Sequence, residues 1–286
     1  MITERRQFGI GTDTLKIIAI VCMVCDHLPF LNPDALFGVA GSSSIYYGFP
    51  LYLLHSIGRI TAPIFFYMVA AGYRRTHDTN RYAIRLFIFA CISYVPAIWY
   101  FYGSFPNGET FLDFNVLFSM FFGLMLLRSI HEVRNLPLKI LCILLCLAAF
   151  YFTEFGFFAA GLILVFDLFR KSKVQTGIAA VVVTLAYIFQ SIGFNLSYYT
   201  ASAFGWHVLI VMFSMLLPLI LILLCRKFYP RGTQGDDPAG TVGDRSYPSR
   251  FSAIPPRRSP FRKWFFYVFY PGHLTLLLLI RMFFLS

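Results

Sequence analysis

The chain carries little charge for its length. Charged residues make up 13% of its 286 residues, about half the share that is usual in soluble globular domains. The sequence also lacks a P-loop, a GxSxG serine-hydrolase turn, an HExxH zinc motif and carboxylates at metal-binding spacing. These absences argue against a soluble domain, an ATP-driven machine and a metal-dependent hydrolase. Because metal-binding motifs are missing, we expect no bound metal. Hydrophobic residues make up 58% of the chain, which favours an integral membrane protein.

Acidic residues are scarce beside basic ones. The chain has 13 Asp and Glu against 24 Lys and Arg, a formal net charge of +11. The basic residues fall in short clusters between apolar runs, as they do in the cytoplasmic loops of membrane proteins. We therefore predict membrane lipid as a partner and no nucleic acid. The six cysteines lie in or at the ends of apolar runs, which indicates buried thiols rather than zinc ligands or disulfides.

Apolar runs recur along the whole chain and predict one all-α, polytopic domain over residues 1–286. Lys and Arg occupy every second loop, so we expect a cytoplasmic N-terminus, an external C-terminus and a multi-pass location in the bacterial inner membrane. Residues 228–262, rich in Pro, Gly and basic residues, predict a disordered cytoplasmic loop. Residues 41–57 are too short for a span, and we expect them to fold back into the outer leaflet. The nine predicted spans are 14–30, 58–73, 83–102, 112–128, 137–153, 156–169, 174–192, 204–225 and 264–284.

The first predicted span has a polar pattern that an inert anchor does not need. Lys16 stands near one end, and Asp26 and His27 stand at the other. On a helix rising ~1.5 Å per residue, Lys16 and His27 lie roughly 16 Å apart. A neutral imidazole can take a proton from an attacking amine or hydroxyl, so both Asp26 and His27 are candidate catalytic residues. The alternative is a hydrogen-bonded His-Asp network that holds helices together.

His273 is a third candidate catalytic residue. It follows Pro271 in the last predicted span, and the proline should kink the helix there because it removes a backbone donor. A histidine beside such a kink is not expected to face lipid. It either lines a cavity or satisfies the freed carbonyl.

Three arginines complete the candidate site. Arg81 and Arg85 lie one turn apart at the start of the third predicted span, and with Lys16 they can form a cytoplasmic phosphate site. Their alternative is ordinary positive-inside anchoring. Arg59 lies near the outer surface, where it either binds an anionic substrate group or extends to the interface.

These stretches resemble the TraX family of membrane proteins, whose namesake acetylates the N-terminus of conjugative pilin. A weaker likeness extends to the transmembrane acyltransferases that acetylate sugars, in which acetyl-CoA enters from the cytoplasm and a late histidine of the first helix serves the transfer. The resemblance implies that Lys16 helps to hold the phosphates of acetyl-CoA and that His27 is the base. The matching stretches, in family order, are Leu15-Lys16 to Asp26-His27, Gly58-Arg59 to Pro63-Ile64-Phe65, Arg81 to Pro96, Phe114 to Phe118, and Phe265 to His273.

The sequence thus leads to the expectation of a membrane acyltransferase that uses acetyl-CoA. The acceptor stays open between a peptide amine, such as that of a pilin, and a glycan hydroxyl. The rival expectation is a non-enzymatic protein, either a permease or an assembly partner of a secreted protein.

The alternation of basic and non-basic loops predicts an orientation that can be measured. In a background without the native cysteines, Ser286→Cys should react with a membrane-impermeant thiol reagent added to intact cells, whereas Gly240→Cys should react only after lysis. Labelling of Gly240→Cys in intact cells would overturn the predicted topology.

Overall fold

The structure is a computed structural model that describes residues 10–31, 53–195, 201–225 and 260–284. The predicted cytoplasmic loop at 228–262 lies almost entirely outside the described residues. So does most of the segment 41–57.

Helices account for almost all of the described chain. Each of nine long α-helices overlaps one predicted span, and a 3₁₀ turn (Leu28–Leu31) extends the first. Residues 53–58 form a further helical segment just before α2. The nine helices are α1 (Thr12–His27), α2 (Thr61–Arg75), α3 (Thr79–Tyr102), α4 (Val116–Glu132), α5 (Leu136–Phe150), α6 (Gly156–Leu168), α7 (Lys173–Asn195), α8 (Ala201–Leu223) and α9 (Pro260–Phe284).

Several of these helices are suited to a bilayer. Five helical segments of the described residues are long and apolar enough to cross a membrane, and three shorter ones are also apolar. The chain is therefore an all-helical membrane protein, while the number of crossings and the orientation stay predictions. The five segments are Thr12–Leu31, Leu53–Arg75, Thr79–Tyr102, Lys173–Gln190 and Trp264–Phe283.

Local sequence explains where several helices begin and end. The side chain of Asp78 caps α3 by accepting a hydrogen bond from the backbone N–H of Arg81, and Gly103 ends the helix with a φ of 71°. Only glycine adopts that left-handed conformation without strain. Asn115 and Asn135 cap α4 and α5 in the same way as Asp78. These caps satisfy backbone donors that a helix start otherwise leaves open.

Helix α2 lies at the centre of the bundle. It packs against α1, α4, α6 and α8, while α9 packs along α3 and beside the 3₁₀ turn. The side chains of Ile64 and Phe66 on α2 are fully buried. The first and last helices of the chain consequently lie close together beside α2 and α3, and polar residues of both meet there.

A buried carboxylate holds three helix ends together. Asp167 of α6 is only 2% exposed. Its Oδ1 accepts a hydrogen bond of 2.6 Å from Nε of Arg74, at the end of α2, and its Oδ2 lies 2.6 Å from Nε2 of His131, at the end of α4. A charge at this depth requires such partners, so the cluster fixes the spacing of α2, α4 and α6.

Gly58 permits the closest approach between α1 and the segment before α2. A Cβ atom added at Gly58 would overlap the backbone nitrogen, Cα and Cβ of Asp26. Only a residue without a side chain fits against α1 at this point.

We predict that Gly58→Ala destabilises the protein by about 1–3 kcal/mol, because the methyl group must push the backbone of α1 aside. Gly272→Ala is the matched control, since nothing lies within 4 Å of a Cβ at that position. Thermal unfolding of the detergent-solubilised variants measures the difference. Equal unfolding temperatures for the two variants would show that the close approach does not exist.

Candidate active site

Two cavities open at opposite ends of the bundle. The first, here called the basic cavity, has a volume of about 620 Å³ and lies between the start of α1, the end of α2, the start of α3 and the first half of α9. The second, here called the acidic cavity, has a volume of about 720 Å³ and lies at the end of α1, the segment before α2 and the end of α3. Both volumes are within the range of small-molecule sites.

The basic cavity combines cations with aromatic walls. Its charged lining residues are Asp13, Lys16, Arg75 and Arg85. Nζ of Lys16 lies 4.7 Å from the centre of the Phe266 ring, a cation–π contact that holds the ammonium group at the wall. Further aromatic walls come from Phe65, Tyr82, Phe265, Tyr267 and Tyr270.

Arg85 is a second cation of this cavity. Its guanidinium lies over the ring of Tyr267, at 6.0 Å from the ring centre. Together with Lys16 and Arg75, it gives the cavity a positive charge that favours an anionic ligand.

Arg81 does not join Lys16 and Arg85, although the sequence grouped the three. Its side chain is 80% exposed, and its Nε lies 2.9 Å from Oδ2 of Asp78. Arg81 is not among the residues that line the basic cavity. Arg75, which the sequence analysis did not select, takes its place in the lining.

The acidic cavity carries three carboxylates, from Asp26, Asp113 and Glu154, together with His55 and Arg59. Arg59 lies 3.4 Å from Oε1 of Glu154. The recessed position of Glu154 in the cavity wall raises the pKa of its carboxyl, and Arg59 opposes that rise. The described lining therefore has more negative than positive groups.

His55 holds Asp26 within this wall. Nδ1 of His55 lies 2.8 Å from Oδ1 of Asp26 and 3.3 Å from its backbone oxygen. Arg59 donates to Nε2 of His55 at 3.3 Å, because a guanidinium has no acceptor. Asp26 is thus fixed in the cavity wall by His55, which Arg59 holds in turn.

His27 and His273 form a buried pair between the two cavities. Nδ1 of His27 and Nε2 of His273 share a hydrogen bond of 2.6 Å, and the two rings stack with centroids 4.9 Å apart. His27 is 5% exposed and His273 is 9% exposed. Two aromatic rings lie edge-on to the His27 ring. The ring centre of Phe101, which lines the acidic cavity, is 5.3 Å from that of His27. The ring centre of Tyr270, which lines the basic cavity, is 6.2 Å from it.

The surroundings of the pair are asymmetric. Nδ1 of His273 donates a hydrogen bond of 2.8 Å to the backbone oxygen of Phe269. Nε2 of His27 lies 3.8 Å from Oδ2 of Asp26, which is beyond hydrogen-bonding distance. Adjacent residues of a helix point about 100° apart, so Asp26 lies in the wall of the acidic cavity while His27, also on α1, faces α9. Neither histidine lines a cavity directly.

His55 is a residue of the candidate site that the sequence analysis did not select. It follows a segment with no clear helical pattern, and its role depends on the contact with Asp26. A signal did exist, because His55 and Arg59 are four residues apart and so lie on one face of a helix.

Comparison with known proteins gives one match. The family model described as "TraX protein" matches residues 11–212. No curated protein and no solved structure matches the chain. The matched range contains Lys16, Asp26, His27 and the residues of both cavities except those of α9.

Proposed function

We propose that this chain, which belongs to the TraX family, is a membrane acetyltransferase that moves an acetyl group from acetyl-CoA to an amine at the opposite membrane face. One observation carries the proposal. A basic cavity and an acidic cavity enter the bundle from opposite ends, and the buried His27–His273 pair lies between them.

The lining of the basic cavity fits a phosphorylated nucleotide that carries an apolar arm. Lys16, Arg75 and Arg85 supply positive charge for phosphates. The aromatic walls suit the stacking of a purine and the passage of a slender chain. When bound, acetyl-CoA supplies a thioester whose carbonyl carbon is open to attack.

The acidic cavity favours a cationic acceptor over a neutral sugar hydroxyl. Arg59 is the one fully charged cation among the described lining residues. The same lining has three carboxylates, those of Asp26, Asp113 and Glu154. Asp26 lines this cavity, and its carboxylate contributes negative charge that favours an ammonium group. We therefore choose an amine acceptor, such as a peptide N-terminus.

His27 is the proposed general base. The bound ammonium group first loses one proton to solvent through the carboxylates of the acidic cavity, which gives a neutral amine. His27 then takes a second proton from the acceptor nitrogen as that nitrogen bonds to the acetyl carbon, and it returns this proton to the sulfur as the carbon–sulfur bond breaks. The products are an amide, a free thiol and the one proton released to solvent, so atoms and protons balance. Asp26, with Oδ2 at 3.8 Å from Nε2 of His27, stabilises the imidazolium that forms between the two steps.

Orientation follows from the basic loops. The basic cavity faces the cytoplasm of a bacterial cell, where acetyl-CoA is available, and the acidic cavity faces outward. A permease or an assembly partner has no need of a nucleotide site, so acetyl-CoA binding separates these rivals from an enzyme.

The direct test is incubation of the purified protein with acetyl-CoA labelled in its acetyl group and a membrane extract. We expect label in an amine-bearing product, resistant to hydroxylamine as an amide is. Absence of both acetyl-CoA binding and label transfer would refute the proposed function, and a hydroxylamine-labile product would refute the amine acceptor.

Lys16→Ala should weaken acetyl-CoA binding by about 1.5–3 kcal/mol, through the loss of a charge-assisted contact with phosphate. Arg81→Ala is the matched control, because it removes a cation of the same region that does not line the cavity. Calorimetry on the two purified variants measures both. An equal loss of affinity would mean that only the general positive field matters, and Lys16 would leave the site.

His27→Gln should lower the rate of acetyl transfer by a factor of roughly 10²–10⁴, the usual cost of losing a general base. Affinity for acetyl-CoA should stay unchanged, because Lys16 and Arg85 hold the phosphates at the far end of the donor. Label transfer near the wild-type rate would show that His27 has a structural role only.

A further inference from the structure

We propose that His273 is a positioning residue that holds His27 in the tautomer with a hydrogen on Nδ1 and a free lone pair on Nε2. This inference rests on the proposed function for its effect on rate. The tautomer itself can be measured whether or not the protein transfers acetyl groups.

The hydrogen bond to Phe269 sets the direction of the pair. The backbone oxygen of Phe269 can only accept, and Nδ1 of His273 lies 2.8 Å from it. Nδ1 of His273 therefore carries a hydrogen. A neutral imidazole has a single N–H, so Nε2 of His273 carries a lone pair.

Neutrality follows from the position of the pair. Both rings are almost fully buried, and the nitrogens of His273 contact Phe269 and His27 rather than a carboxylate. An imidazolium without a counter-ion is costly inside a membrane protein. His273 is accordingly neutral at rest.

The lone pair of His273 then fixes His27. Nδ1 of His27 lies 2.6 Å from Nε2 of His273 and must donate the hydrogen of that bond. Nε2 of His27 is left with its lone pair, directed to the side of Asp26. The opposite arrangement would set the lone pair of Nδ1 in His273 against the oxygen of Phe269 at 2.8 Å, where two acceptors repel.

The result distinguishes the two histidines. Both nitrogens of His273 are engaged, one with Phe269 and one with His27, so His273 has no atom left for a substrate. His27 has one, at Nε2. The sequence nominated both residues as catalytic, whereas the geometry points to His27 as the base and to His273 as the residue that orients it.

A pair of substitutions separates positioning from proton transfer. In His273→Gln, the amide oxygen can accept from His27 and the amide nitrogen can donate to Phe269, so the tautomer is kept without a titratable ring. In His273→Leu, the volume is filled but the acceptor is lost. We expect His273→Leu to lower kcat by about 10- to 100-fold, as is typical for loss of an orienting partner, with KM for acetyl-CoA unchanged and with His273→Gln restoring most of the rate. Equal inactivity of the two variants would overturn the positioning role.

Nitrogen-15 NMR of protein labelled at histidine, with His27→Gln used to assign the signals, reads the tautomer directly. The wild-type protein should show His27 with a protonated Nδ1 and an unprotonated Nε2, and His273→Leu should lose this preference. A protonated Nε2 in wild-type His27 would refute the inference. A correct tautomer in a protein that transfers no acetyl group would refute the proposed function alone.

Discussion

The hydrogen bond between His27 and His273 joins the first helix of the chain to the last, 246 residues apart. Two further bonds close the same region. The hydroxyl of Tyr100 on α3 donates to the backbone oxygen of His27, and Arg281 on α9 donates to the backbone oxygen of Tyr100, both at 2.7 Å. The side chains of His27 and Tyr100 are buried, so their hydrogen bonds strengthen one another in the absence of water. These hydrogen bonds hold α1, α3 and α9 together around the two histidines. The separation of the basic cavity from the acidic cavity depends on them.

The acidic cavity depends on a second constraint, the contact between Gly58 and α1. Because a glycine lies against Asp26, the segment before α2 brings His55 and Arg59 to the carboxylate. Any larger side chain would separate the two elements. In the basic cavity, Lys16 and Arg85 lie over the aromatic rings of Phe266 and Tyr267.

The apolar runs were sufficient to predict the helices, because burial in lipid or in the bundle decides helix formation over 15 to 25 residues and each described helix overlaps a predicted span. Single residues of the candidate site could also be nominated from the sequence, because a titratable group inside an apolar run is costly and so indicates a function. It was harder to predict which residues of the candidate site contact each other. That His27 meets His273 depends on how the bundle closes, and no local pattern encodes this. Nor does a local pattern show that Glu154 meets Arg59, or that Arg281 donates to the backbone oxygen of Tyr100. The sequence grouped Arg81 with Lys16 and Arg85, but Arg81 pairs with Asp78 at the start of α3. The spacing of Arg81 and Arg85 alone does not reveal this ion pair.

The central claim is that the histidine pair separates a donor cavity from an acceptor cavity. The most direct measurement is a cryo-EM structure of the full chain bound to a non-hydrolysable analogue of acetyl-CoA. Our account predicts phosphate density beside Lys16 and Arg85, and an acyl end that reaches through the basic cavity to the side of Tyr270 nearest His27. An analogue with its phosphates in the acidic cavity, or with its acyl end directed away from the histidine pair, would contradict the account.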